Sequence, residues 1–157
     1  MSGRLAIVGL GPGAPELMTP LATETLATST DLIGYGPYLA RVPERPGQQR
    51  HPSDNREELA RAKQALDLAA EGKSVAVVSS GDPGVFAMAS AVFEAIETGE
   101  PAWRDIDLTV IPGVSAMLAA AATGVADVLA GRLPQALADP DWTPGGNRGR
   151  LAQGAKS

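Results

Sequence analysis

The sequence predicts an α/β domain in which a parallel sheet is flanked by helices. Two observations predict it: short apolar runs alternate with stretches of helical periodicity, and Gly, Pro or Ser bounds each run. Such near-continuous runs are typical of parallel strands that are buried on both faces. The chain has 157 residues, which is about the length of one domain. The four runs predicted as strands are Leu5–Val8, Asp31–Tyr35, Val75–Ser79 and Leu108–Ile111.

The first two helices are predicted from signals at their ends. Thr19 followed by Pro20 is expected to cap and start the first helix. Asp54 with Glu57 has the form of a capping box, which is expected to open the second helix. Gly72 is the expected end of that helix, because glycine tolerates the backbone conformation that follows a last helical turn.

The later helices lead into a segment of different composition. Asp82 with Pro83 is expected to open the third helix and Pro112 the fourth. A weak helical pattern continues past residue 123, and residues 139–157 are rich in Gly, Pro and charge. We therefore expect a folded domain over residues 1–122 and a divergent, poorly ordered tail over residues 123–157.

Composition excludes several classes of function. The chain has 13 Lys and Arg against 18 Asp and Glu, whereas a non-specific nucleic-acid binder needs a basic face. It has no Cys and one histidine, His51, which excludes disulfides, Cys nucleophiles and multi-histidine metal sites. No apolar run approaches the ~20 residues of a membrane span, and a signal-peptide core is absent. We expect a cytoplasmic protein with no metal and no nucleic-acid or membrane partner.

Three of the predicted strands end in loops of Gly, Pro and small polar residues. Ligands bind beyond the carboxyl ends of the strands in open α/β sheets, and these ends share one edge. Glycine lets the backbone approach a ligand closely, and proline fixes the shape of the loop. The pattern indicates a small-molecule cleft bordered by Gly9–Pro15, Ser79–Gly84 and Pro112–Ala116.

Each feature alone also has a simpler explanation. The first loop fits either an ordinary turn or a loose dinucleotide fingerprint, GxGxxA. That fingerprint requires an acidic residue at the end of the second strand, whereas Asp31 stands at its beginning. A nucleotide-dependent oxidoreductase is thus the weakest alternative. Taken singly, Asp82 is simplest as a helix cap, Ser115 as a first-turn helical serine and His51 as a solvated residue of a polar loop.

A basic stretch interrupts the otherwise acidic chain between residues 41 and 56. It is either a solvated surface or a patch that receives a polycarboxylate ligand through charge-assisted hydrogen bonds. Its members are Arg41, Arg45, Arg50 and Arg56.

Several segments together resemble a known family. VGLGPGAPELMT, SSGDPGVFAMA and PGVSAM are similar, in order and spacing, to the signature segments of the S-adenosylmethionine-dependent tetrapyrrole methylases. GYGPYLARV at 34–42 and HPSDNREELARA at 51–62 narrow the resemblance to the branch that methylates precorrin-3B at carbon 17 in cobalamin biosynthesis. The resemblance runs from about residue 4 to about 122. Members of the family have two α/β domains, of which this chain resembles the N-terminal one; we expect the second domain to be absent.

The resemblance also implies which residues form the site. Asp82 is the residue it offers as a catalytic acid or base. Contacts to the tetrapyrrole are expected from Gly11, Gly13, Tyr35 and Arg41. Contacts to S-adenosylmethionine, the implied methyl donor, are expected from Pro12, Gly81, Asp82, Pro83, Val85, Phe86, Ser115 and Ala116.

The reaction implied is methyl transfer from a sulfonium to carbon 17 of a precorrin, coupled to ring contraction. Two alternatives remain: a truncated, catalytically inactive fragment, and a sibling methylase that acts at another carbon. Pairing of two chains in a homodimer is a further expectation, because an uncovered domain face favours association.

Overall fold

The computed structural model describes residues 3–84 and 88–129, and it confirms the predicted α/β fold. Its strands are β1 (Arg4–Gly9), β2 (Asp31–Tyr35), β3 (Gln49–Ser53), β4 (Ser74–Ser79) and β5 (Asp107–Ile111). They form one parallel sheet in the order β3-β2-β4-β1-β5. Strand β4 is therefore the middle strand, with β2 on one side and β1 on the other.

Helices cover both faces of this sheet. They are α1 (Pro20–Thr28), α2 (Gly36–Leu39), α3 (Glu58–Ala70) and α4 (Met88–Thr98). One further helix, α5 (Ala116–Leu129), follows β5 in the chain. Side chains of α3 and α4 bury one face, together with Trp103 from a short 3₁₀ helix before β5, and side chains of α1 and α2 bury the other. Residues up to Ser115 form one compact unit, and α5 belongs to a second unit that begins at Ala116.

Burial on both faces is confirmed for β1, β2 and β4, which are buried along nearly their whole length. Alternate side chains enter opposite cores: Leu5 and Ile7 face α3 and α4, whereas Ala6 and Val8 face α1 and α2. The same expectation is wrong for β5, where three of five residues are exposed. Among the described strands, β5 pairs with β1 alone, so the helices over the central strands cover it less.

Strand β3 was not among the predicted strands. It pairs in parallel with β2 at the opposite edge of the sheet. Its sequence QRHPS is polar and contains Pro52, which cannot donate to a strand ladder and is therefore confined to edge strands. A polar edge strand lacks the apolar run by which the other strands were predicted, so the polar loop expected around His51 is instead β3.

The end signals of the first two helices are confirmed in part. Thr19 caps α1, its hydroxyl accepting a hydrogen bond from Ala22 N at 3.1 Å. Only half of the expected capping box forms. Glu57 Oε2 accepts a hydrogen bond from Asp54 N at 3.2 Å, but the helix begins at Glu58, so Asp54 does not cap it. Gly72, with a φ of 91°, follows the end of α3 as expected.

The predicted starts of the later helices are wrong. Pro83 and Gly84 form a turn, and the described part of α4 begins at Met88. Helix α5 begins at Ala116, so Pro112 lies in a loop after β5. Helix α5 extends past residue 123 to Leu129, and the rest of the predicted tail lies outside the described residues. In the described ranges, no helix combines the length and the apolar character needed to cross a membrane.

Candidate functional site at the carboxyl edge of the sheet

The loops after β1 and β4 lie where the connections of the sheet diverge. The two strands are neighbours, yet the helix that follows β1 packs on one face and the helix that follows β4 packs on the other. In open α/β sheets such a divergence opens a crevice outside the carboxyl ends of the two strands. The loops Gly9–Pro15 and Ser79–Gly84 border that crevice.

Gly11 and Gly81 join these two loops. Gly81 N donates to Gly11 O at 2.9 Å, and Gly11 N donates to Gly81 O at 3.2 Å. Both glycines have a positive φ, 73° at Gly11 and 64° at Gly81, a conformation that residues with a Cβ adopt only with strain. Glycine at both positions therefore allows the loops to turn toward each other.

Gly9 and Gly113 bring the third loop against the first two. A Cβ at Gly9 would lie 2.8 Å from Gly113 N, and a Cβ at Gly113 would overlap the carbonyl oxygen of Gly81. Alanine at either position would therefore push the loops apart. The loops after β1, β4 and β5 thus meet through backbone atoms, which is the convergence expected from the sequence.

Asp82 connects the second loop to the third with its carboxylate. Its Oδ1 accepts from Gly84 N at 2.8 Å, and its Oδ2 accepts from Gly113 N at 3.0 Å. The first bond closes a turn within the loop, so Asp82 caps a turn and not helix α4, contrary to the simpler expectation for this residue. The second bond spans 31 residues of sequence and holds the two loops in register.

Arg41 supports the first loop by binding two of its carbonyl groups. Its Nη2 donates to Leu10 O and to Gly11 O, each at 2.9 Å. Within the described part of the chain, its Nε and Nη1 groups make no hydrogen bond, and the side chain is half-buried. Arg41 can therefore hold the loop and still offer N–H donors to an anionic group.

Two tyrosines lie beside this arginine in the sequence. Tyr35 ends β2 and Tyr38 lies in α2, and their rings meet edge to face with centroids 5.1 Å apart. Both side chains are half-buried. Sequence reasoning selected Tyr35 and missed Tyr38, although the GYGPY segment contains both.

The other arginines of the basic stretch divide into two groups. The guanidinium of Arg50 donates to the carbonyls of Leu39, Val42 and Pro43, each at 2.8 Å, and so fixes the chain after α2. Arg45 and Arg56 are exposed. The stretch is therefore not one continuous patch: two of its members hold backbone, and two lie at the surface.

His51 is not a solvated residue, and it lies away from the loops. Its Nε2 is 2.8 Å from Oδ1 of Asp31, which is 4% exposed and begins β2 at the amino edge of the sheet. Burial alone would raise the pKa of Asp31, but the hydrogen bonds from His51 and Thr30, with the positive charge of Lys73, hold that pKa below its ordinary value. This pair joins β2 to β3 and takes no part in the cleft.

The remaining predicted residues differ in accessibility. Pro12 is half-buried and Gly13 is exposed at the rim of the first loop, whereas Pro83 and Ser115 are buried. Ala116 begins α5 in the second unit. Val85 and Phe86 lie outside the described residues.

Comparison with known proteins decides which family these loops represent. The family model for Tetrapyrrole (Corrin/Porphyrin) Methylases matches residues 4–156. The chain belongs to the tetrapyrrole methylase family. The match extends beyond residue 122, where the resemblance of the motifs ends, so the division into residues 1–122 and 123–157 stays a prediction.

Three tetrapyrrole methylases show how far the similarity reaches. The chain is 54% identical over 122 residues to a precorrin-3B C(17)-methyltransferase from a Sinorhizobium species, covering 78% of this chain and 48% of that protein. It aligns with the crystal structure of the methyltransferase CobJ at 55% identity and a TM-score of 0.75, covering 78% of this chain and 51% of that one. The chain thus spans about half the length of these relatives.

The third is the uroporphyrin-III C-methyltransferase of Thermus thermophilus in complex with S-adenosylhomocysteine. It shares 25% identity and a TM-score of 0.58, covering 76% of this chain and 52% of that one. Tetrapyrrole methylases use S-adenosylmethionine as methyl donor.

The first loop leaves room for a ligand beside its backbone. At Gly13, whose φ is 147°, an added Cβ would meet no atom within 4 Å, so the backbone there is open to a ligand. The neighbouring loop backbones are already held by Asp82 and Arg41. Among the described residues, no group of three or more His, Asp or Glu side chains is placed to hold a metal ion.

Proposed function

We propose that this chain is an S-adenosylmethionine-dependent C-methyltransferase that acts on precorrin-3B at carbon 17, with ring contraction. The observation that carries the proposal is the junction of three loops at the crevice beside β4, held by the Gly11–Gly81 pair and the Asp82–Gly113 bond. The identity of 54% to a precorrin-3B C(17)-methyltransferase supports this substrate over other tetrapyrroles. A cytoplasmic location and pairing of two chains stay predictions.

S-adenosylmethionine, when bound, supplies a methyl group that is carried on a sulfonium. When the methyl group is transferred, the sulfur leaves as a neutral thioether. The protein therefore needs no strong nucleophile of its own, which agrees with a sequence that has no Cys and a single His. Its contribution is to hold the reactants in place, because a fixed geometry removes much of the entropic barrier to a bimolecular reaction. The residues proposed to contact the donor are Pro12, Gly81, Asp82, Pro83, Val85, Phe86, Ser115 and Ala116.

We place the tetrapyrrole beside the first loop, near the end of β2. Gly11 and Gly13 present backbone to it, and the half-buried ring of Tyr35 offers an apolar surface. Counting partners among the described residues, Arg41 has N–H donors left after it binds Leu10 O and Gly11 O. Precorrins carry several carboxylates, and a guanidinium binds a carboxylate through charge-assisted hydrogen bonds.

Asp82 is proposed to act on the donor site through loop position. Both of its oxygens accept hydrogen bonds from backbone N–H groups, and one of these bonds ties two loops together. An acid or base must instead reach a proton of the substrate. The acid–base role implied by the resemblance stays a prediction, and the observed contacts favour positioning.

A second candidate function is a donor-binding module that does not transfer the methyl group by itself. The observation that favours it is that the chain covers 48% of a precorrin-3B C(17)-methyltransferase. The two candidates share the donor site and differ in turnover, so measurement of donor binding together with turnover separates them.

The experiment that tests the proposal is product analysis. The purified chain is incubated with precorrin-3B and S-adenosylmethionine carrying a ¹³C-labelled methyl group, and the product is examined by mass spectrometry and NMR. We expect one labelled methyl group at carbon 17. Label at another carbon would indicate a sibling methylase. Binding of S-adenosylhomocysteine without label transfer would indicate the non-catalytic module, and absence of both would contradict either proposal.

A further inference from the structure

A buried arginine in α3 stands outside the site described above. Arg61 is 5% exposed, and within residues 3–84 and 88–129 no carboxylate lies within ion-pair distance of it. A buried charge is costly unless it is paired or hydrogen-bonded, and an apolar side chain of similar volume is often tolerated better in such a place. The hydrogen bonds of Arg61 therefore indicate what this guanidinium contributes.

Arg61 contacts three segments near the carboxyl edge of the sheet. Its Nε donates to Ser53 Oγ at 2.7 Å, at the end of β3, and its Nη2 donates to Asp54 O at 2.7 Å, in the loop that follows. Its Nη1 lies 3.7 Å from Sδ of Met88, the first described residue of α4. The planar fork of the guanidinium thus bridges the end of β3 and the beginning of α4.

The beginning of α4 is in turn tied to the donor loop. Ala89 N, one residue after Met88, donates to Pro83 O at 3.2 Å. Pro83 follows Asp82, which accepts from Gly113 N. A continuous series of contacts therefore runs from Arg61 through the first residues of α4 to the bond between the second and third loops.

We propose that Arg61 is a positioning residue, which fixes the amino-terminal end of α4 against β3 and thereby holds the Ser79–Gly84 loop in its ligand-binding geometry. The effect on ligand binding rests on the proposed donor site. The effect on the position of the loop does not depend on the proposed donor site, and it can be measured without any ligand.

The test compares Arg61→Met with three other variants of the full chain. Ser53→Ala removes one acceptor of the guanidinium and is the milder change, which keeps the test available should Arg61→Met fail to fold. Leu26→Ala opens the opposite core, between α1 and the sheet, and controls for a general loss of stability. Arg56→Met removes an exposed arginine of the neighbouring loop and controls for charge.

The first readout is amide hydrogen exchange by NMR in the absence of ligand. We expect Arg61→Met to accelerate exchange of the amides of Gly84, Ala89 and Gly113 more than exchange of the amides in the sheet. Ser53→Ala is expected to have the same effect to a smaller extent. A structural role alone would raise exchange throughout the unit, which is the result we expect for Leu26→Ala. Each variant is measured at the same number of degrees below its own melting temperature. The proposal is overturned if these amides exchange no faster in the Arg61 and Ser53 variants than in Leu26→Ala.

The second readout is calorimetric titration with S-adenosylhomocysteine. We expect Arg61→Met to weaken binding by about tenfold or more, equivalent to about 1.4 kcal/mol, and Arg56→Met to leave it unchanged. Affinity that is unchanged in Arg61→Met contradicts the ligand-binding part of the inference. If the unaltered chain does not bind S-adenosylhomocysteine, the proposed donor site fails, and the exchange data still decide whether Arg61 positions the loop.

Discussion

At the scale of single residues, the polar side chains at the carboxyl edge bind loop backbone. Asp82 accepts from Gly84 N and Gly113 N, and Arg41 donates to Leu10 O and Gly11 O. Hydrogen bonds that involve a charged partner are about twice as strong as neutral ones. These two side chains therefore set the shape of the loops before any ligand arrives.

Replacement of Asp82 by alanine tests this role. We expect Asp82→Ala to lower the free energy of unfolding by about 1–3 kcal/mol, because two backbone N–H groups lose their acceptor, and also to weaken binding of S-adenosylhomocysteine. Urea unfolding and calorimetric titration measure the two effects. Asp105→Ala, at an exposed position, is the control. Unchanged affinity in Asp82→Ala would show that the bond to Gly113 does not shape the donor site.

Gly81 allows a matched comparison with a glycine outside the cleft. Gly81 and Gly47 both have a positive φ, 64° and 79°, so alanine at either position is expected to cost about 1–2 kcal/mol of stability from backbone strain. Only Gly81 pairs with Gly11. We therefore expect Gly81→Ala, and not Gly47→Ala, to reduce the affinity for S-adenosylhomocysteine. Equal affinities in the two variants would mean that Gly81 does not contribute to the donor site.

At the scale of elements, burial decides what the sequence could predict. Strands β1, β2 and β4 are buried apolar runs, and their positions follow directly from the sequence. Strand β3 is polar. Besides the backbone ladder, side-chain contacts join it to β2, among them the pair His51 with Asp31, which are 20 residues apart. No local pattern indicates such a pair.

The loops divide in the same way. Their composition and their place after the strands predicted that they would meet. The bond from Asp82 to Gly113 and the support of Gly11 by Arg41 join residues about 30 apart in sequence, so they follow from the assembled sheet and not from any local signal. The predicted start of α4 at Asp82 was wrong for this reason: the carboxylate binds the neighbouring loop instead of opening the helix.

The Asp31–His51 pair predicts how stability depends on pH. The pKa of Asp31 lies below its ordinary value of 3.8, so the unfolded chain binds this proton more readily than the folded one. The stabilisation is therefore present above about pH 4, the unfolded pKa, and is lost as the pH falls through the folded pKa.

The variant that tests this pair is Asp31→Asn. We expect it to be less stable than the unaltered chain at pH 7, by about 1–3 kcal/mol, and the difference to shrink below pH 4. Urea unfolding at pH 7, 5 and 3 measures it. A difference that stays constant across this range would mean that the charge of Asp31 does not contribute.

At the scale of the whole molecule, the structure is one α/β unit with a second unit beginning at Ala116. Most of the predicted donor contacts, and all of the loop junction, lie in the first unit. The chain covers 51% of the CobJ structure that it matches. We therefore propose that the first unit by itself holds a usable donor site, whether or not the chain completes the reaction.

The most direct test is a calorimetric melt of the purified chain with and without S-adenosylhomocysteine. At about 100 times its dissociation constant, a ligand that binds the native state stabilises it by about 2.7 kcal/mol. For a chain of this size, that corresponds to a rise of about 5–10 °C in melting temperature. We predict one cooperative transition that rises by this amount and rises less in Asp82→Ala. A transition that does not move with the ligand would contradict the donor site.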